Sequence, residues 1–97
     1  MRRARIDANQ IEVVRALRAI GASVQSLASV GKGVPDLLVG YHGINVLLEV
    51  KDGRKPPSET RLTPAEKQWA REWVGQWNAL YFADQAVALV ERLCVKR

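Results

Sequence analysis

The stretch PDLLVGYHGINVLLEVK, residues 35–51, decides how this chain folds. Two aliphatic runs, Pro35–Tyr41 and Ile44–Lys51, flank His42-Gly43. Strand-like runs joined by a two-residue, glycine-bearing link read as an antiparallel hairpin. With His42 and Gly43 at the turn, Tyr41 pairs with Ile44. Leu38 then faces Leu47, Val39 faces Val46, Leu37 faces Leu48 and Asp36 faces Glu49. Opposed side chains share a face of the sheet, with Cβ atoms about 4.5–5.5 Å apart. Lys51 lies two residues past Glu49, on that same face and roughly 7 Å along. Asp36, Glu49 and Lys51 are therefore expected to cluster at the open end of the hairpin.

That clustering has a chemical reading. Both faces of Ile44–Val50 are apolar, the mark of a central strand, where charges are costly. Two carboxylates brought that close repel each other. A divalent cation between them removes the conflict, and hard cations such as Mg²⁺ take carboxylate, water and phosphate oxygens. The backbone carbonyl of Val50 is the natural further ligand. A metal-bound water becomes a nucleophile at neutral pH. Lys51 is placed to orient or deprotonate it and to offset negative charge in the transition state. These are the parts of phosphodiester hydrolysis. Taken singly, an aspartate after proline is ordinarily a turn former and a Glu-x-Lys pair a solvated face. It is their matching offset on paired strands that points to a site.

Outward from the hairpin, the remaining elements follow from periodicity and punctuation. From Asp7 to about Ile20 the pattern is helical, with Val13, Val14, Leu17 and Ile20 on one face and Gly21 as the stop. Ala22–Leu27 reads as a short strand and Ser29–Val34 as a loop. Asp52–Arg61 is a polar loop with a glycine and two prolines. In LTPAEKQW, Thr63 is an N-cap, Pro64 takes the first helical position and Glu66 closes a capping box. That helix is expected to run to about Val74, with Trp69 and Trp73 on one side, and to end at Gly75. Trp77–Phe82 reads as a last strand, and Asp84 as the cap of a final helix over Gln85–Leu93. The element order is αβββαβα. Residues 1–97 make a single domain, of which 1–6 form a basic arm.

Composition narrows the possibilities. The chain has 97 residues, enough for one compact domain, and 47 % apolar content, enough for a core without staples. A net charge of +5 favours an anionic partner. Cys94 and His42 are the only residues of their kinds. No intrachain disulfide is possible, and neither a zinc site of the usual spacing nor chemistry needing two histidines can be built. The N-terminus MRRARIDANQ lacks an apolar segment, so no secretory signal is expected. No apolar run approaches the length of a membrane span. A soluble, cytoplasmic protein is the expectation.

The strings GVPDLLVG, LLEVKDG and LTPAEKQW together resemble the VRR-NUC (virus-type replication-repair nuclease) family of the PD-(D/E)XK nuclease superfamily, over about residues 7–75. The resemblance implies an α/β fold with a restriction-endonuclease-like PD-(D/E)XK core, a mixed sheet flanked by helices. It implies Mg²⁺ or Mn²⁺ as the cofactor, with Asp36, Glu49 and the Val50 carbonyl as metal ligands and Lys51 as the catalytic lysine. Compact viral-type members act as homodimers on branched DNA, including four-way (Holliday) junctions. Others act on flaps and crosslinks, so flap, nicked or single-stranded DNA is the alternative substrate, and a degenerate, purely DNA-binding module the alternative class.

Many relatives carry a metal-binding glutamate on the first helix. Here Asp7, Gln10 and Glu12 are the options. Gln10 lies near the middle of the apolar face, while Glu12 points almost opposite, beside Arg15 and Ala19. Gln10 is therefore the residue expected over the site, a neutral amide in place of an acid, and Glu12 a solvated partner of an arginine. Gln68 matches a polar position that such nucleases point at the active site. Lys32, Arg54, Lys55 and Arg61, with Arg5 and its neighbours Arg2 and Arg3, are expected to guide a DNA backbone. No recognition helix is evident. Trp69 and Trp73 are expected in the core or at a subunit contact. Symmetric cutting of a junction needs two sites, which a two-fold dimer supplies.

Overall fold

A computed structural model describes residues 8–95. Its elements are α1 (Ala8–Ala19), β1 (Ser23–Ser26), β2 (Leu37–Tyr41), β3 (Ile44–Val50), α2 (Pro64–Glu72), β4 (Trp77–Leu80) and α3 (Ala83–Val95), with a 3₁₀ turn at Pro57–Glu59 before α2. The order is the αβββαβα read from the sequence. The basic arm lies outside the described residues.

The four strands form one mixed sheet in the order β1-β2-β3-β4. The first three make an antiparallel meander, and β4 returns parallel to β3 by way of α2. The hairpin has the register expected, from Tyr41 opposite Ile44 to Leu37 opposite Leu48. His42 and Gly43 both take positive φ, 48° and 81°, as a type I′ turn requires.

β3 is the central strand, and all its residues but Asn45 are buried. Leu37, Val39, Val46, Leu48, Val50 and Leu80 line one face and pack with Val13 and Leu17 of α1 and Ala86, Leu89 and Val90 of α3. By alternation, Leu38, Leu47, Glu49 and Trp77 belong to the other face. α2 lies on that face, and none of its residues is buried. Trp69 stacks on Trp73 with centroids 5.1 Å apart and meets Trp77 edge-on at 5.8 Å. The tryptophans thus join α2 to the sheet, with Trp73 still 45 % exposed.

Several boundaries differ from expectation for local reasons. β2 begins at Leu37, not Pro35, because Asp36 reaches β3 with its side chain: the Val50 N–H donates to Asp36 Oδ2 at 2.7 Å. α2 stops at Glu72, where Trp73 turns extended with ψ 123°. The last helix starts at Ala83, so Asp84 is inside its first turn and is not the cap. The capping group is Gln85, whose Oε1 accepts the N–H groups of Tyr81 and Phe82 at 2.8 and 3.0 Å. Those bonds also end β4 at Leu80 rather than Phe82.

Candidate active site

The hairpin register, carried one step past the ladder, sets Asp36 beside Glu49. Both meet Lys51 at the end of the sheet. Lys51 Nζ lies 3.4 Å from Glu49 Oε2 and 2.9 Å from Glu66 Oε1. The site therefore has three carboxylates and one ammonium, drawn from β3, the segment before β2, and the first turn of α2. Glu49 is only 5 % exposed. The three residues expected from the hairpin are together. Glu66, which the sequence marks only as a cap, joins them.

Glu66 performs that capping as well. Its Oε1 accepts the Thr63 N–H at 2.8 Å while its own N–H donates to Thr63 Oγ1 at 3.2 Å. The capping box is complete, yet the same oxygen also takes Lys51. The chain brings them together by close approach elsewhere. Gly33, at φ 80°, lies so near the start of α2 that an added Cβ would stand 2.2 Å from the Ala65 carbonyl oxygen.

Asn9 is a second residue at the site that nothing in the local sequence marks. Its side-chain amide is buried and donates to the Lys51 carbonyl at 2.7 Å and to the Tyr81 carbonyl at 2.8 Å. It ties the first turn of α1 to the ends of β3 and β4. Gln10, its neighbour, is also buried and lines a cavity of about 480 Å³ between α1 and β1, with Val14, Arg18, Val24 and Leu37. Glu12 is exposed on the outer side of α1.

Gln68 does not reach the site. It is exposed, donates to Glu72 Oε2 at 2.7 Å and accepts from Arg71, all on the outer surface of α2. Residues two apart on a helix are about 200° apart around its axis. With Glu66 turned toward the sheet, Gln68 must turn away. Lys55 and Arg61 are exposed on the segment that leaves β3 beside Lys51 and returns to α2 beside Glu66. Arg54 is held over Asp52, Nε to Oδ1 at 3.0 Å. Lys32 is exposed in the loop that abuts Ala65, at φ 58°. Arg5, Arg2, Arg3 and Asp7 lie outside the described residues.

Electrostatics follow from burial and crowding. Burial, with the charges of Asp36 and Glu66 nearby, pushes the Glu49 carboxyl up to about 8. Burial also raises Asp36, against the lowering effect of the Val50 N–H. Burial alone would depress Lys51, but the hydrogen bond to Glu66 and the charge of Glu49 outweigh it and raise the ammonium. For Glu66 the order is the same: burial raises it, but the bonds from Lys51 and Thr63 outweigh burial and lower it. Held between Glu66 at 2.9 Å and Glu49 at 3.4 Å, Lys51 stands as a fixed cation.

A divalent cation fits the donor set. Asp36 and Glu49 are hard oxygen ligands at a buried site whose carboxylates outnumber its one cationic side chain, and this crowding, with burial, is what pushes the Glu49 carboxyl up. Among the described residues no three acidic, histidine or cysteine side chains make a complete cage. A cation such as Mg²⁺ ordinarily uses only one or two carboxylates and completes its shell with water and phosphate.

A solved structure described as a VRR_NUC domain superposes with a TM-score of 0.58 and 27 % identity, over 84 % of this chain and 89 % of that one. The chain is thus similar to a VRR-NUC domain in both fold and sequence. Its sheet and flanking helices make a PD-(D/E)XK-like fold, and the likeness points to a nuclease of that type. No protein-family model matches the chain, and no curated protein does. Among its described residues no helix is long and apolar enough to cross a membrane.

Proposed function

We propose that this chain is a VRR-NUC-type, Mg²⁺- or Mn²⁺-dependent endonuclease that hydrolyses phosphodiester bonds in branched DNA, four-way junctions foremost, as a homodimer. The observation that carries the reading is the meeting of Asp36, Glu49 and Lys51 at one end of the sheet. Asp36, Glu49 and the Val50 carbonyl would hold the cation. When bound, it supplies a Lewis acid that polarises the scissile phosphate and acidifies a bound water. The protein's own residues do the rest. The Val50 N–H fixes the Asp36 carboxylate. Lys51, kept as an ammonium, faces the developing negative charge of the transition state. Gln10 stands at the first turn of α1, whose position Asn9 sets against the Lys51 carbonyl. Lys32, Arg54, Lys55, Arg61 and Arg5 supply sequence-independent phosphate contacts on the approach to the site. The preference for branched DNA and the dimer rest on the family resemblance and on the two cuts that a junction requires.

The test is cleavage of labelled four-way junction, flap, nicked and single-stranded DNA with Mg²⁺, Mn²⁺ or EDTA. The expected result is paired cuts in the junction, abolished by EDTA, with Asp36→Ala and Lys51→Ala slowed at least about 10²-fold, the scale for losing one preorganised charge. A flap preference would move the substrate assignment. Binding without cleavage in either metal would reduce the domain to a DNA-binding module. Elution as a monomer, alone and with DNA, would remove the dimer.

A further inference from the structure

We propose that Glu66 is a positioning residue for Lys51, and that through it the docking of α2 and the placing of the lysine are a single event. The inference rests on the nuclease reading and assigns a second task to a residue that its own helix already explains as a cap.

One oxygen carries the case. Glu66 Oε1 accepts from the Thr63 N–H at 2.8 Å and from Lys51 Nζ at 2.9 Å. A carboxylate oxygen has two lone pairs, and both are engaged. A capping-box glutamate needs only the first of these bonds. The second has a price in burial, since the Glu66 side chain is 18 % exposed and the Lys51 side chain 13 %. Lysine has four rotatable stem bonds and about 2 kcal/mol of rotamer entropy to lose. Glu49 alone holds it at 3.4 Å from the same strand. Glu66 holds it more closely, from a different element, so the ammonium is fixed between two supports. An ammonium has three donors. Two point to these carboxylates, which leaves one for a phosphate oxygen.

The dependence runs in both directions. α2 has no buried residue. It meets the sheet through the Trp69–Trp77 contact and at its first turn, where Gly33 abuts Ala65 and Glu66 takes Lys51. The helix start that places Glu66 is thus itself held by Lys51.

The experiment compares Glu66→Ala, Glu66→Gln and Thr63→Ala in the full chain. Thr63→Ala removes the hydroxyl that caps the Glu66 N–H and leaves the carboxylate in place, so it reports helix fraying alone. The first readout needs no catalysis: acylation of Lys51 by an amine-reactive ester, measured by peptide mass spectrometry against exposed Lys55. The second is the single-turnover cleavage rate with Mg²⁺, set beside DNA affinity. Glu66→Ala is expected to speed Lys51 acylation several-fold and to slow cleavage about 10–100-fold, the scale of a misplaced catalytic group. Its DNA Kd should stay within about twofold of wild type, so that the loss falls on the chemical step. Glu66→Gln keeps the acceptor oxygen and should recover most of the rate. Thr63→Ala should lower Tm and leave Lys51 acylation and cleavage near wild type.

Equal changes in Glu66→Ala and Thr63→Ala, or unchanged Lys51 protection in Glu66→Ala, would overturn the proposal. Should Glu66→Ala fail to fold, Glu66→Met, of similar length but without an acceptor, takes its place. A wild-type protein that cuts no DNA would defeat the nuclease reading, while the acylation arm would still decide the role of Glu66.

Discussion

Under α1 and α3 the sheet presents Leu37, Val39, Val46, Leu48, Val50 and Leu80, all buried in one cluster. Its other face passes from half-exposed Leu38 to Asp36, Glu49 and Lys51, beneath a helix with no buried residue. The same strands build both faces, because successive side chains alternate. The sealed face supplies the stability that lets the open face hold three carboxylates beside one ammonium. Charges so crowded are tolerated on a scaffold secured from the opposite side, and that division of labour can be broken one residue at a time.

The largest expected effect is on the sealed face. Leu48 is fully buried, and Leu48→Ala should cost about 2–5 kcal/mol in chemical denaturation. Its neighbour Glu49, one residue on and facing the other way, should behave oppositely in metal-free protein, with Glu49→Gln leaving stability equal or higher near pH 8. If Glu49→Gln destabilised as strongly as Leu48→Ala, the two faces would not be energetically distinct.

Next comes the seam between them. Asn9 donates to two carbonyls at the ends of β3 and β4. Asn9→Ala leaves both without that partner and should cost about 1–3 kcal/mol. Because one of the carbonyls belongs to Lys51, the variant should also lose cleavage rate, whereas Leu48→Ala should lose stability first. A pure stability effect in Asn9→Ala would show that the site does not depend on the first turn of α1.

The open face should reveal itself through pH. The Glu49 carboxyl is raised from 4.5 to about 8, so folding favours its protonated form. That contribution is complete below about pH 4.5 and is lost as pH rises toward 8. In this window the unfolded chain has released the proton and the folded chain keeps it. Metal-free stability should therefore fall with rising pH, by at most about 1.4 kcal/mol per unit. Glu49→Gln should remove the slope, and Mg²⁺, by displacing the proton, should flatten it. Denaturation midpoints from pH 5.5 to 8.5, with and without Mg²⁺, measure both. A wild-type slope unchanged in Glu49→Gln would place the proton elsewhere.

Much of this was legible in residues 35–51. The period-2 pattern, the turn dipeptide and the offset of Asp36 from Glu49 determine the register, and the register determines which side chains meet. Thr63 and Glu66 announced α2 with equal clarity. The rest was hidden for particular reasons. A capping box accounts for Glu66 completely, so nothing in the local sequence signals its second bond to Lys51. Asn9 reads as an ordinary polar residue at a helix start, and only the fold carries β3 and β4 to it. Asp84 has the chemistry of a cap, but Gln85, one residue later, reaches the N–H groups that end β4.

The smallest predicted effect is the sharpest check on the assignment of faces within α2. Gln68 was expected over the site, by analogy with a polar position on that helix, and it instead bonds Glu72 and Arg71 in solvent. Helix surface pairs of this kind contribute about 0.2–0.5 kcal/mol. Gln68→Ala should change stability by no more than that and leave single-turnover cleavage within about twofold, since alanine also has the higher helix propensity. Glu66 is two residues away on the same helix, so a general disturbance of α2 would affect both variants alike. Only a difference in which way the two side chains face predicts that one is silent and the other is not. A tenfold loss in Gln68→Ala would mean that α2 turns on binding DNA and that the face now in solvent is the one that works.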